Sequence, residues 1–473
     1  MSQNLGKNIN KNIDQLIKRD AEVLLHPSSS ITDLIENGPK MVVGAQGRHV
    51  VDAEGRQLLD AMAGLWCVNV GYGRDELGEA MKVASNQLGF YHSFTNASNP
   101  WQVELADKLL QLTPNNMGKV FFGTSGSDCN DTLIKIAWHY HALKGNNKKT
   151  KIIARDQAYH GTSISTASLT GLTGFHKEFP IPLDFVVRVD CPHYYSQAID
   201  DETEEQFCDR LINNIEAMIE REGADTLAAF FAEPIMGAGG IIVPPQDYYP
   251  RLGKLLKQHD ILFVADEVIC GYGRLGAWFG STEFGIEPDM IASAKGLTSG
   301  YFPLSAAFLT DEIWEVLKLG SEQIGAFMHG YTYSGHPVSC AVALENLRIL
   351  EDEKIIETAS RNTMPNLTKK WSELIHHPLV GDVNILGFMG SIALTPEKAS
   401  RAKFASPEGT VGLICREHCF SNNLVMRHVG DRMVISPPLI ISNEEIDILI
   451  SRVTKSLDQT LFDIKKLGLY KAS

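Results

Sequence analysis

The sequence predicts an α/β fold: a large domain with a mostly parallel sheet flanked by helices, plus a small α+β domain built from both termini. Three observations carry that reading. Short apolar runs of strand length alternate with longer segments of helical spacing through the middle of the 473-residue chain, the pattern of a sheet wrapped by crossover helices. Those runs are apolar on both faces, as strands covered from both sides must be. The two ends have a different texture and neither carries a full core, so one small domain made from both is more economical than two.

In chain order, residues 41–60 read as short strands with turn signals at Gly44, Gly47 and Asp52-Ala53-Glu54-Gly55. Residues 1–70 are therefore the N-terminal segment and part of the small domain, and 71–340 the large domain. Within the latter, Leu77, Ala80, Met81, Ala84 and Leu88 repeat on one helix face, and Asn99 as N-cap with Pro100 behind it opens the next helix. The strands are expected at Lys119–Phe122, Lys151–Ala154, Phe185–Val189, Leu227–Ala232, Ile261–Ala265 and Met290–Ala294, with a helix over Asp131–Leu143. Residues 341–473 complete the small domain as long helices around one Gly-rich strand, Val383–Leu394.

Composition narrows the function. The 43 Lys and Arg against 57 Asp and Glu give a net charge of −14, which repels phosphate backbones and anionic membrane surfaces. The eight Cys are scattered without framework spacing, which suits a reducing compartment. The opening stretch MSQNLGKNINKNIDQLIKRD has no apolar core of a signal peptide, and no uncharged apolar run is long enough to span a bilayer, so a cytoplasmic protein is expected.

Four features carry possible chemistry. In PDMIASAKGLTSG, Lys295 follows a buried strand between Ala294 and Gly296. An amine desolvated there has a lowered pKa and room to form a Schiff base with an aldehyde, where the ordinary reading is a solvated lysine at a strand end. Asp266 closes the run ILFVAD, so both groups can meet at the carboxyl ends of neighbouring strands, where open α/β sheets bind ligands. A pyridinium nitrogen would be a suitable partner for that carboxylate. The ordinary alternative is that Asp266 or Glu267 caps a helix or pairs with Arg274. The loop Gly123-Thr124-Ser125-Gly126-Ser127 runs from a strand into a helix, aiming N–H groups at a monophosphate, although a plain turn uses the same residues. Tyr159, in AYHG, follows another strand and could stack on a flat cofactor or serve as a core tyrosine.

Two further patterns are set aside. Gly271, Gly273 and Gly276 stand in dinucleotide-fingerprint order, but AWFGSTEFGIEPD after them is no helix. Cys415, His418 and Cys419 lack a fourth ligand cluster, so no metal is expected.

Taken together, the motifs DAMAGLWCVNVGYGR (Asp60–Arg74), SGSDCNDT (Ser125–Thr132), YHG (Tyr159–Gly161), AEPIMGAGGIIVPP (Ala232–Pro245), ADEVICGYGRLG (Ala265–Gly276), AKGLTSGY (Ala294–Tyr301), YTYSGHP (Tyr331–Pro337) and LVMRHVGDRMVISPPL (Leu424–Leu439) resemble the class III, fold-type I aminotransferases that use pyridoxal 5'-phosphate. They are most similar to the pyruvate-dependent ω-transaminases, including amine (putrescine)–pyruvate aminotransferases, and the likeness runs from about residue 30 to 460.

The resemblance implies roles. Lys295 would be the Schiff-base lysine and proton carrier, Asp266 the partner of the pyridine nitrogen, Val268 and Tyr159 the two faces packing its ring. Ser125, Gly126 and Ser127 would bind phosphate, and His160 and Glu233 would add cofactor contacts. Thr332 would reach the phosphate of the neighbouring subunit, which implies a homodimer, alone or paired into a tetramer. Trp66, Phe94, Tyr159 and Arg427 would bind substrate, Arg427 as a switch that pairs with a carboxylate and swings aside for an apolar amine. Arg416 reads as structural. The expected reaction is ping-pong transfer of an amino group from a primary amine to pyruvate; a fold-type I aminomutase or decarboxylase is the alternative. The chain departs from the family's usual residues in four places. Ala238 stands where ornithine and γ-aminobutyrate transaminases carry Glu, which favours the amine branch, Met236 where Gln is usual, Asp128-Cys129 where Glu-Ala is usual, and Thr95 where close amine transaminases have a second Phe.

Overall fold

The computed structural model describes residues 13–114, 117–199 and 201–470. Most of the opening stretch read for a signal peptide, residues 1–12, lies outside them. No helix among the described residues is long and apolar enough to cross a membrane.

After two helical segments, Ile13–Val23 and Ile31–Asn37, come three antiparallel strands: β1 (Val42–Gln46), β2 (His49–Asp52) and β3 (Gln57–Asp60). Helices α1 (Asp75–Leu88) and α2 (Pro100–Leu112) follow, the second capped by the Asn99 side chain with Pro100 in its first turn. The large sheet is then laid down by β4 (Met117–Gly123), β5 (Lys151–Arg155), β6 (Val186–Val189), β7 (Leu227–Ala232), β8 (Leu262–Asp266), β9 (Met290–Ser293) and β10 (Ser305–Thr310). Its order is β4-β10-β9-β8-β7-β5-β6, and the strands are parallel except β10, which runs against both neighbours. Six of these seven strands fall on the expected runs, within one residue at most limits. The exception, β10, was not read from the sequence.

Period-two alternation explains why this sheet is wrapped on both sides. Ile153, Phe230 and Phe263 point to a core shared with the helices Glu204–Glu222 and Tyr248–Gln258. Their neighbours Ile152, Phe231 and Val264 point to the opposite core, against α3 (Gly126–Leu143). Helix α3 starts five residues before the expected Asp131. Ser125 is its N-cap, and a reciprocal capping box with Asp128 secures the first turn.

Past helix α4 (Pro337–Asp352), the single strand expected at Val383–Leu394 is instead a hairpin, β11 (Val380–Leu386) and β12 (Met389–Leu394). Gly387 makes the turn at φ +57°, where a Cβ would lie 2.6 Å from the Arg274 carbonyl, so the chain reverses at a position only glycine fills. β13 (Leu424–Val425) leaves this region and pairs in parallel with β3, so residues from both ends of the chain share one sheet. β14 (Arg427–Val429) and β15 (Arg432–Ile435) complete a four-stranded sheet in the order β11-β12-β15-β14.

Candidate active site

The carboxyl ends of the parallel strands converge on one recess. Asp266 is the last residue of β8, and Lys295 lies two residues beyond β9, whose Ala292 is the register partner of Asp266. Lys295 takes a left-handed backbone (φ +43°), and a Cβ on the following Gly296 would sit 2.5 Å from the Asn69 amide. The small neighbour is therefore required by packing against Asn69. Burial holds the Lys295 ammonium below the ordinary lysine range, against the attraction of Cys67, Asp266 and Glu233.

Asp266 is buried and fixed from three sides. Its Oδ2 accepts from Asn130 Nδ2 (2.8 Å) and faces His160 Nδ1 (2.8 Å), and its Oδ1 accepts from the Val268 amide (3.1 Å). It does not pair with Arg274, whose guanidinium donates to the Pro437 carbonyl and Asn69 Oδ1. Nor does Glu267 pair with it, since that carboxylate accepts from Gly280 and Ser281. Asn130 was not singled out in the sequence. It also bonds the His160 carbonyl (2.8 Å), so one amide on α3 ties Asp266 to the YHG loop.

The first turn of α3 faces the same region. Asp128 draws in the loop before it, accepting from the Thr124 and Ser125 amides and from Ser305 Oγ. The amides of Gly126 and Ser127 find no partner among the described residues and remain for an outside acceptor. A Cβ on Gly126 would lie 3.0 Å from both Val268 methyls, so the helix start and the residue after Asp266 are packed as closely as glycine allows.

Tyr159 and Glu233 meet through the backbone. Glu233 accepts from the Tyr159 amide (2.9 Å) and the Gly237 amide (2.9 Å), which places it as a clamp on two loops. The Tyr159 ring sits edge-on to Phe175 at 5.5 Å. Burial pushes its phenol up, partly offset by the Arg427 cation nearby. Met236 packs against Cys191, Ala158 and Ile242 in a small apolar cluster of its own.

Trp66 has two cations over its ring. Lys295 Nζ is 5.6 Å and the Arg427 guanidinium 5.2 Å from its ring. Ala63, Gly64 and Trp66 all have positive φ. Buried Asp60 braces this strained turn, accepting from the amides of Met62 (2.9 Å) and Gly64 (2.6 Å) and from the Tyr72 hydroxyl (2.6 Å). The indole N–H is buried and finds no partner among the described residues. Arg427 is itself held below the ordinary arginine range by burial, and the groups that influence its charge are Tyr159 and Arg416 rather than a carboxylate.

Phe94 and Thr332 are not brought into the recess by these contacts. Both are exposed, on loops that touch each other where Phe94 packs on Gly330. Of the two patterns set aside, Gly273 and Gly276 make left-handed turns, followed only by a three-residue 3-10 turn. His418 pairs with Asp463 at 2.9 Å while Cys415 and Cys419 are buried on the same helix.

These residues fit pyridoxal 5'-phosphate. A cradle that a single Cβ would fill, two free amides at a helix N-terminus, a buried carboxylate and a desolvated lysine supply the donors and acceptors its phosphate, ring nitrogen and aldehyde require.

The family model described as Aminotransferase class-III matches residues 35–457. The chain is 46% identical to putrescine–pyruvate aminotransferase of Pseudomonas aeruginosa over 94% of its own length and 96% of that protein. It is 43% identical to the chloroplastic gamma aminobutyrate transaminase 3 of Solanum lycopersicum, over 92% of this chain and 83% of that one. Among solved structures, the omega transaminase of Pseudomonas jessenii in complex with PMP superposes with a TM-score of 0.93 at 39% identity, covering 96% of this chain and 99% of that chain.

Proposed function

Because the chain belongs to the class III aminotransferases, which use pyridoxal 5'-phosphate, we propose that it moves an amino group from a primary amine to pyruvate in a ping-pong cycle. The carrying observation is Arg427, a half-buried cation resting on the face of Trp66 with no carboxylate partner among the described residues. A guanidinium so placed can take a keto acid's carboxylate in one half-cycle and leave the indole to line an apolar pocket in the other. Ala238, which is buried and uncharged, supplies no permanent carboxylate for a substrate-binding arginine.

In this reading the bound cofactor supplies the aldehyde and the electron sink. Lys295 would hold it covalently through its amine and would serve as the group that moves a proton at the substrate carbon. Asp266, held by Asn130, His160 and the Val268 amide, would favour a proton on the ring nitrogen. Ser125, Gly126 and Ser127 would hold the phosphate, Val268 and Tyr159 would line the ring, and His160 and Glu233 hold Asp266 and the Tyr159 loop in place.

The working unit is a homodimer. Phe90, Tyr91, Phe94, Met328 and Tyr333 expose apolar surface on two loops that meet where Phe90 packs on Tyr333 and Phe94 on Gly330, Met328 at 89%, and apolar exposure gathered in this way marks an interaction surface. Phe94 and Thr332 lie in these segments and would complete the partner's site.

A panel of diamines, ω-amino acids and arylalkylamines tests the assignment, with pyruvate as acceptor and alanine as readout. The reading requires alanine equal to the amine consumed. Amine loss with pyruvate untouched would make the chain a mutase or decarboxylase.

A further inference from the structure

The loop that carries Thr332 is stapled to the helix whose first turn forms the candidate phosphate cup. His329 Nδ1 lies 3.0 Å from Lys135 Nζ, and its Nε2 lies 2.8 Å from Thr132 Oγ1. An ammonium has only hydrogens to give. Nδ1 therefore accepts and Nε2–H donates to Thr132, whose hydroxyl donates to the Asp128 carbonyl (2.8 Å). The Tyr331 hydroxyl donates to the same carbonyl (3.0 Å). The imidazole also stacks on Phe121 at 5.4 Å. Burial, with Lys135 adding to it, holds His329 at about 4, so the neutral form that this pattern needs is present at physiological pH. Asp128, Thr132 and Lys135 follow helical spacing along one face of α3.

We propose that His329 is a positioning residue that acts in trans, fixing the loop that presents Thr332 to the partner subunit's cofactor site. The inference rests on the homodimer described above. One helix then serves two sites. Its N-terminal turn makes the cup of its own subunit, and the next two turns hold the loop offered to the other. A loop without this staple has to be ordered at each binding event, and the ordering entropy is subtracted from affinity.

Hybrid dimers test the direction of the effect. In each, one chain carries Lys295→Ala, so a single covalent site remains, and pyridoxal 5'-phosphate is titrated into the apoprotein with absorbance at that site as the readout. His329→Phe keeps a ring against Phe121 and removes both hydrogen bonds. Placed on the Lys295→Ala chain, it is expected to weaken cofactor binding at the remaining site about tenfold, the worth of one hydrogen bond to a charged group. Placed on the chain that keeps Lys295, it leaves binding unchanged. Equal loss in both hybrids, or loss only in the second, overturns the proposal. Should the Phe variant fail to fold, His329→Gln enters the same two hybrids under the same criterion. Sedimentation of the wild type as a monomer would overturn the dimer reading together with this one, whereas a dimer with no trans effect overturns this one alone.

Discussion

An amine attacks an aldehyde only after losing its proton, and Lys295 is held below the ordinary lysine range by burial. Its neutral fraction therefore rises with pH earlier than that of exposed lysines. Apoprotein mixed with an aldehyde, trapped with borohydride and mapped by peptide mass should show Lys295 labelling climbing at lower pH than surface lysines. A common profile for all of them would refute the shift. Lys295→Ala is expected to abolish turnover and leave a folded protein that takes up cofactor without a covalent bond, checked by dialysis and absorbance. Arg427→Ala is expected to slow the pyruvate half-reaction by tenfold or more, since a charge-assisted pair is lost, while an apolar amine half-reaction changes little. Equal losses in single-turnover experiments would remove its switching role. At this scale the sequence was legible wherever chemistry sits at a strand end: Lys295 and Asp266 follow apolar runs that had to be strands. Asn130 was illegible because its place against Asp266 and the YHG loop depends on how α3 packs over the sheet, and no local pattern encodes that. Phe94 and Thr332 could be read only by resemblance, as nothing in one chain gives them a contact that explains them.

Two elements deliver the site, a helix start and a strained turn. Gly126→Ala places a Cβ 3.0 Å from both methyls of Val268, so the cradle must open. Overpacking of this kind costs about 1–3 kcal/mol, and cofactor titration together with thermal unfolding should register it. A protein with unaltered cofactor affinity would show that the cup is not where α3 begins. In the turn before Trp66, Asp60→Ala leaves the Met62 and Gly64 amides without their acceptor, a loss of about 1–3 kcal/mol for buried donors. Unfolding should shift accordingly, and KM for the amine should rise with the displaced indole. Most strand and helix positions were readable because period-two and helical spacing are local signals. β10 escaped because its small opening residues, Ser305-Ala306-Ala307, continue straight from the loop after Lys295, so no local signal marks where that loop ends. The hairpin of β11 and β12 escaped because its turn depends on Gly387 meeting the Arg274 carbonyl, a contact between residues more than a hundred positions apart.

For the whole molecule, sedimentation should return twice the mass of one chain, or four times where dimers pair, and charge substitutions at Phe90 and Tyr333, whose rings meet edge-on at 5.5 Å, should split the pair. Single chains retaining full activity after such changes would refute assembly across these loops. The parallel pairing of β13 with β3 also orders events in time. Every strand of the large sheet has left the ribosome long before residue 424 does, so the cofactor cradle can assemble while the chain is still being made. The indole at Trp66 waits for Arg427, so on the proposed roles translation that stops before that codon would leave a polypeptide that keeps the cradle residues yet lacks the cation for the keto acid.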